Sequence, residues 1–163
     1  MSLFENPEYQ WRETFFVFFD HQRRPRATEL QAELGKLNDR FVITNVQADG
    51  EGRIDSLTVV SPEDYAAMDV SCISGEEVRE QIPEISRDLR RSLASKDDNS
   101  KLEQLKTCDA RLDIFHFEQQ TYRDDGDYDD EIMDPGGLLI VLEQLGRLCQ
   151  GVVVDPQSGA ILS

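Results

Sequence analysis

A chain of 163 residues with 17 basic and 33 acidic side chains carries a formal net charge of −16. A field of that sign repels nucleic-acid phosphates and anionic lipid headgroups, so neither nucleic acid nor a membrane surface is an expected partner. The length suits a single domain, and 39% hydrophobic residues gathered into well-separated segments are enough to build a core.

The opening MSLFENPEYQWRE has no basic start and no apolar run of signal-peptide length. The apolar runs Phe15–Phe19 and Leu138–Leu142 are too short to span a bilayer. A cytoplasmic protein is the expectation. Cys72, Cys108 and Cys149 are odd in number and far apart, which fits small core residues better than a disulfide or metal framework.

Phe4, Tyr9 and Trp11 around Pro7 predict an extended arm packed on the domain. Thr14–Asp20 (TFFVFFD) predicts a strand with apolar residues on both faces, either a central strand covered on both sides or one with a partly exposed aromatic face. Pro25 and Thr28 open a helix, with Thr28 and Gln31 in capping-box register. Ala27, Leu30, Leu34 and Leu37 recur at helical spacing, and Asn38-Asp39 ends the run. Phe41–Ala48 and Arg53–Val60 then form a hairpin across Asp49-Gly50-Glu51-Gly52.

Ser61-Pro62-Glu63-Asp64 reads as the first turn of a short helix. Alternating Ala66, Met68, Val70 and Cys72 predict a strand with one buried face. Ser74 and Glu77 begin a helix whose apolar positions are Val78, Ile82, Ile85, Leu89 and Leu93, interrupted by Pro83. Ser95–Ser100 predicts a flexible loop, Lys101–Lys106 a short helix, and Arg111–Gln119 a strand. A last helix is capped by Asp134-Pro135 and closed by Gly151. A strand pair around Asp155–Gly159 finishes the chain.

Leu145-Gly146-Arg147-Leu148 before Val152–Val154 echoes Leu34-Gly35-Lys36-Leu37 before Phe41–Ile43. The echo suggests one domain over 1–163, built of two similar halves (about 13–60 and 111–162) joined by 61–110. The expected class is α+β: an antiparallel or mixed sheet with helices on one face, as in a duplicated ferredoxin-like arrangement.

No nucleophile elbow, zincin helix, phosphate loop or dinucleotide fingerprint is present, so no catalytic residue and no cofactor is expected. His116, inside a phenylalanine-rich strand, reads as a sheet histidine rather than a ligand. His21, Arg23, Arg24 and Arg26 form a basic run between the first strand and first helix, where α/β folds hold anions. The plainer reading is a solvated loop offsetting nearby acids. Asp125, Asp127 and Asp129 alternate like calcium ligands, but an EF-hand count from Asp125 meets Asp130 and Gly136 where glycine and glutamate belong. A mutually repelling acidic loop over Asp124–Asp134 is the expectation, and no metal is assigned.

The leading functional expectation is a non-catalytic, acidic interaction or regulatory module for a protein partner, of the kind immunity and inhibitor proteins represent. The competing one is a small anionic-ligand binder or enzyme using residues 21–26 with Arg87, Arg90 or Arg91. Attraction between the basic run and the acidic loop adds the expectation of a salt-sensitive contact, within one chain or in a homodimer.

Overall fold

The computed structural model describes residues 9–37, 41–61, 66–92, 97–119 and 136–162. In chain order these form β1 (Tyr9–Phe19), α1 (Ala27–Leu37), β2 (Val42–Ala48), β3 (Ile54–Ser61), β4 (Ala66–Ser74) and α2 (Glu76–Ser92). There follow α3 (Asp97–Leu105), β5 (Ala110–Gln119), α4 (Gly136–Cys149), β6 (Val152–Asp155) and β7 (Ala160–Ile161). All seven strands join one antiparallel sheet in the order β2-β3-β4-β5-β1-β6-β7. The fold is α+β.

The run of phenylalanines in β1 explains the layers. Successive side chains of a strand point to opposite faces. Phe15, Val17 and Phe19 enter a core with Leu30 and Leu34 of α1 and Val141, Leu142 and Leu145 of α4. Phe16 and Phe18 enter another with Val78, Ile82, Ile85 and Leu89 of α2 and Leu102 and Leu105 of α3. Helices therefore cover both faces of the sheet, where one covered face was expected. A strand with no polar face leaves no alternative, because either exposed side would place phenylalanines in water.

The two halves share the order strand–helix–hairpin but not its placement. β1 and β2 run parallel with three strands between them, whereas β5 and β6 run parallel with only β1 between them. The echoed leucines do meet in one core: Leu34 and Leu145 are fully buried, with Leu37 and Leu148 packed at its edge. The echoed glycines differ. A Cβ on Gly35 would meet nothing within 4 Å, whereas one on Gly146 would lie 2.6 Å from Val153 Cγ2.

Several local expectations shift. Tyr9 and Trp11 belong to β1 itself rather than to a separate arm. Asp97–Ser100, expected as loop, is the first turn of α3. Gln150, not Gly151, takes the left-handed position after α4, with φ of 49°. Gly151 is needed for a different reason: a Cβ there would lie 2.4 Å from the Phe18 carbonyl oxygen. Phe4, the Ser61–Asp64 turn beyond Ser61, Asn38-Asp39, Leu93 and the Asp134-Pro135 cap lie outside the described residues.

The hairpin turns close as their sequences predict. The Asp49 carboxylate accepts from the backbone of Glu51 and Arg53, both at 2.9 Å, with Gly52 at φ of 82°. Asp155 makes the same kind of turn, accepting from Gln157 N at 3.0 Å and Ser158 Oγ at 2.9 Å. Gln157 then bonds both backbone groups of Thr14, at 2.9 and 2.8 Å, extending the pairing of β1 beyond the end of β6. Among the described residues, no helix is long and apolar enough to cross a membrane.

The glycine contrast is testable. Gly35→Ala sits in a helix with open space, so it should stabilise the protein by about 0.5–1 kcal/mol. Gly146→Ala must displace a buried, β-branched neighbour and should cost about 1–3 kcal/mol. Urea unfolding of both variants reads the two signs; equal effects would contradict the packing assigned to α4.

Candidate functional site

The loop after β1 is fixed by the residue preceding β5. The Asp20 side chain accepts from Gln22 N at 2.9 Å and starts a single 3-10 turn over His21–Arg23. Asp109 donates its N–H to the Phe19 carbonyl at 3.1 Å, which places its carboxylate beside that turn. Asp109 Oδ1 accepts from His21 N at 2.8 Å, and Oδ2 lies 2.5 Å from His21 Nδ1. Arg79 of α2 reaches the same Oδ2 with Nη2 at 3.4 Å. Burial pushes the Asp109 carboxyl upward, but the His21 backbone bond, the His21 ring and Arg79 outweigh it and hold the group below the usual carboxylate range. The Asp109 carboxylate thus faces Nδ1 of a ring whose side chain is 54% exposed.

The four basic-run residues go to separate places. His21 turns to Asp109. Arg23 bonds the Gln150 side chain at the end of α4. Arg24 is drawn into the β2–β3 hairpin, donating to the Ile54 carbonyl at 2.6 Å and pairing with Asp55 and with Asp49 at 3.5 Å. Arg26 is exposed, with a backbone bridge to Arg53. The hairpin also occupies the start of α1, because Ala27 N donates to the Gly52 carbonyl at 3.0 Å. Asp125, Asp127, Asp129 and the rest of the acidic loop lie outside the described residues.

A groove that spacing alone did not single out adjoins the Asp109 cluster. It encloses about 540 Å³ and is lined by Arg79, Ile82, Pro83, Ser86, Arg87 and Arg90 of α2, facing Lys106 and Cys108 after α3. The α2 residues recur every three or four positions and so form one stripe of the helix. Glu80, Glu84 and Asp88 fall between them and do not line the groove. Arg79 is shared, bonding Asp109 at one end of the stripe. Lys106 pairs with Glu103 at 3.0 Å, whereas Arg87 and Arg90 form no ion pair with any described residue. The Ser86 hydroxyl, in a side chain only 7% exposed, has no hydrogen-bond partner among them.

Compared with protein-family models, curated proteins and solved structures, the chain matches none. The geometry alone carries the functional argument.

Asp20, His21 and Asp109 bring three potential ligand atoms within 4.8 Å of one another, a grouping that could hold a cation. Arg79 already supplies positive charge to the same Asp109 oxygen, so a metal would have to displace a guanidinium and break the His21 bond. The arrangement is better suited to orienting Arg79 at the groove than to ligating a metal. Sequence spacing could not have exposed it, because His21 and Asp109 are 88 positions apart.

Other ionisable groups serve the core. Arg111 grips Asp113 through two bonds, at 2.5 and 3.2 Å, and its guanidinium lies 4.7 Å above the Phe16 ring, bonded also to Gln81 of α2. Burial raises the Asp113 carboxyl despite this partner. His116 is half-buried and its pKa lowered by desolvation, although Glu13 Oε1 lies 3.4 Å from Nδ1. Burial likewise lifts the thiols of Cys72 to about 11 and of Cys108 and Cys149 to about 12, which suits packing rather than nucleophilic chemistry.

The Asp109 cluster has a pH signature. Its folded carboxyl is the stronger acid, so on acidification the unfolded chain takes up the proton first. The stability it contributes is present at neutral pH and disappears as pH falls from about 4 through the lower folded value. Asp109→Asn should therefore cost about 1–3 kcal/mol at pH 7. Its deficit should shrink below about pH 4. A deficit that stays constant from pH 7 to pH 3 would contradict the assigned contacts.

Proposed function

We propose that this protein is a non-catalytic binding module that takes a small anionic ligand in the groove between α2 and the segment after α3. The observation carrying this reading is the charge distribution. In a chain of net −16, the groove collects Arg79, Arg87, Arg90 and Lys106 around an apolar floor. Concentrating like charges is unfavourable without a counter-charge, and two of these cations have none among the described residues. Guanidinium groups suit oxyanions because their paired N–H donors match carboxylate and phosphate geometry. The apolar floor of Ile82, Pro83 and Cys108 adds a surface for the ligand's body.

This keeps the anionic-ligand expectation but moves it from residues 21–26 to α2. The second reading, a regulatory module for a basic protein partner, is favoured by the excess of 33 acidic over 17 basic side chains.

Titration with succinate and with pyrophosphate at low ionic strength, followed by amide NMR, separates the two readings. At least one anion should shift Arg79, Ile82, Ser86, Arg87, Arg90 and Lys106 selectively, and Arg87→Glu/Arg90→Glu should abolish the effect. Shifts spread equally over Arg12, Arg24 and Arg147, or no shifts with either anion, would refute the groove as the binding site.

A further inference from the structure

The two ends of the groove differ chemically. Arg79 and Arg90 are eleven residues apart, a helical rise of roughly 16 Å. Cys108 adjoins Asp109, which bonds Arg79, so the apolar floor lies towards the Arg79 end. The other end carries Ser86, Arg87 and Arg90.

We infer that the Ser86–Arg87–Arg90 end receives the phosphoryl group of a small ligand whose apolar part lies over Ile82, Pro83 and Cys108. The inference rests on the anion-binding reading above and narrows it to one chemical class. Ser86 selects the class. A buried hydroxyl without a partner is unfavourable, and native interiors satisfy nearly all such groups. Ser86 itself lines the groove, so its hydroxyl has a donor to offer a ligand held there. Together with the guanidinium groups one and four residues along the chain, it supplies three sets of donors to the groove. A phosphoryl group offers three terminal oxygens and up to two negative charges, whereas a carboxylate offers two oxygens in a plane and one charge. Arg87 and Arg90, with no carboxylate partner among the described residues, supply the matching positive charge.

The apolar floor argues for an ester rather than for bare phosphate, because Ile82 and Pro83 gain contact only from a hydrophobic substituent. The size of the groove, about 540 Å³, fits a small molecule. A nucleic-acid chain would extend over a surface whose net field repels it.

Calorimetric titration of the whole chain at low salt with phenyl phosphate, benzoate and inorganic phosphate tests the inference. Phenyl phosphate should bind about tenfold more tightly than benzoate, reflecting the additional charge-assisted bond, and more tightly than inorganic phosphate. Ser86→Ala should reduce the preference over benzoate several-fold without lowering the melting temperature. Arg87→Gln/Arg90→Gln should remove binding of all three. Equal affinities for phenyl phosphate and benzoate, both dependent on the two arginines, would overturn the phosphoryl assignment and leave the anion-binding reading standing. An unchanged preference in Ser86→Ala would also overturn it. Absence of binding by all three probes would overturn both readings.

Discussion

Burial of β1 on both faces is the constraint from which the remainder of the fold follows. Phe15, Val17 and Phe19 require one helical layer, and Phe16 and Phe18 require another. The chain meets the first demand with α1 and α4 and the second with α2 and α3. Full burial of a phenylalanine or valine side chain contributes about 1.5–3 kcal/mol, so an uncovered face would sacrifice several such terms together. The second layer is also what creates the groove, since one wall is a stripe of α2 and the other is the chain leaving α3 towards β5. Core and candidate site thus share one helix: Val78, Ile82, Ile85 and Leu89 face inward, while Arg79, Pro83, Arg87 and Arg90 follow the groove.

Charge is handled differently at each depth. Under α2, Arg111 and Asp113 satisfy each other in a two-bond pair with Phe16 and Gln81 around the guanidinium. Removing one partner from such a pair costs more than the pair contributes, because the other is left unpaired in a poor solvent for ions. At the groove mouth, Asp109 is held ionised by His21 and Arg79. Farther along α2, Arg87 and Arg90 face solvent without a carboxylate among the described residues. Positive charge is left available there, in a chain whose overall field draws cations and repels polyanions.

Much of the fold was legible in the sequence. TFFVFFD identified β1 and left open whether one or both of its faces were covered, and the 3.6-residue periods of Leu30–Leu37 and Val78–Leu89 identified α1 and α2 with their buried sides. Asp49–Gly52 and Asp155–Gly159 carried their turn chemistry openly. The second helical layer was allowed by β1 but not drawn out, because each helix pattern names a buried face without saying which side of the sheet it covers. The internal echo identified leucines that meet in one core, yet it could not reveal that β4 and β3 separate β2 from β5 on one side only. The site was harder still. His21, Arg23, Arg24 and Arg26 are clustered in sequence, but their side chains are taken by Asp109, Gln150 and the β2–β3 hairpin or exposed alone. The groove residues are interleaved with Glu80, Glu84 and Asp88, so local charge nearly cancels along the chain and separates only around the helix.

Amide hydrogen exchange measures the central constraint directly. If β1 is the element on which both layers close, the amides of Phe15–Phe19 should exchange only through global unfolding, along with those of Leu112–Ile114 and Val152–Val154 that flank it in the sheet. Their exchange free energies should equal the stability measured by urea unfolding. Exchange of the β1 amides at a free energy well below that value, with α1 or α2 still protected, would show that one layer can leave without the other and would contradict the account.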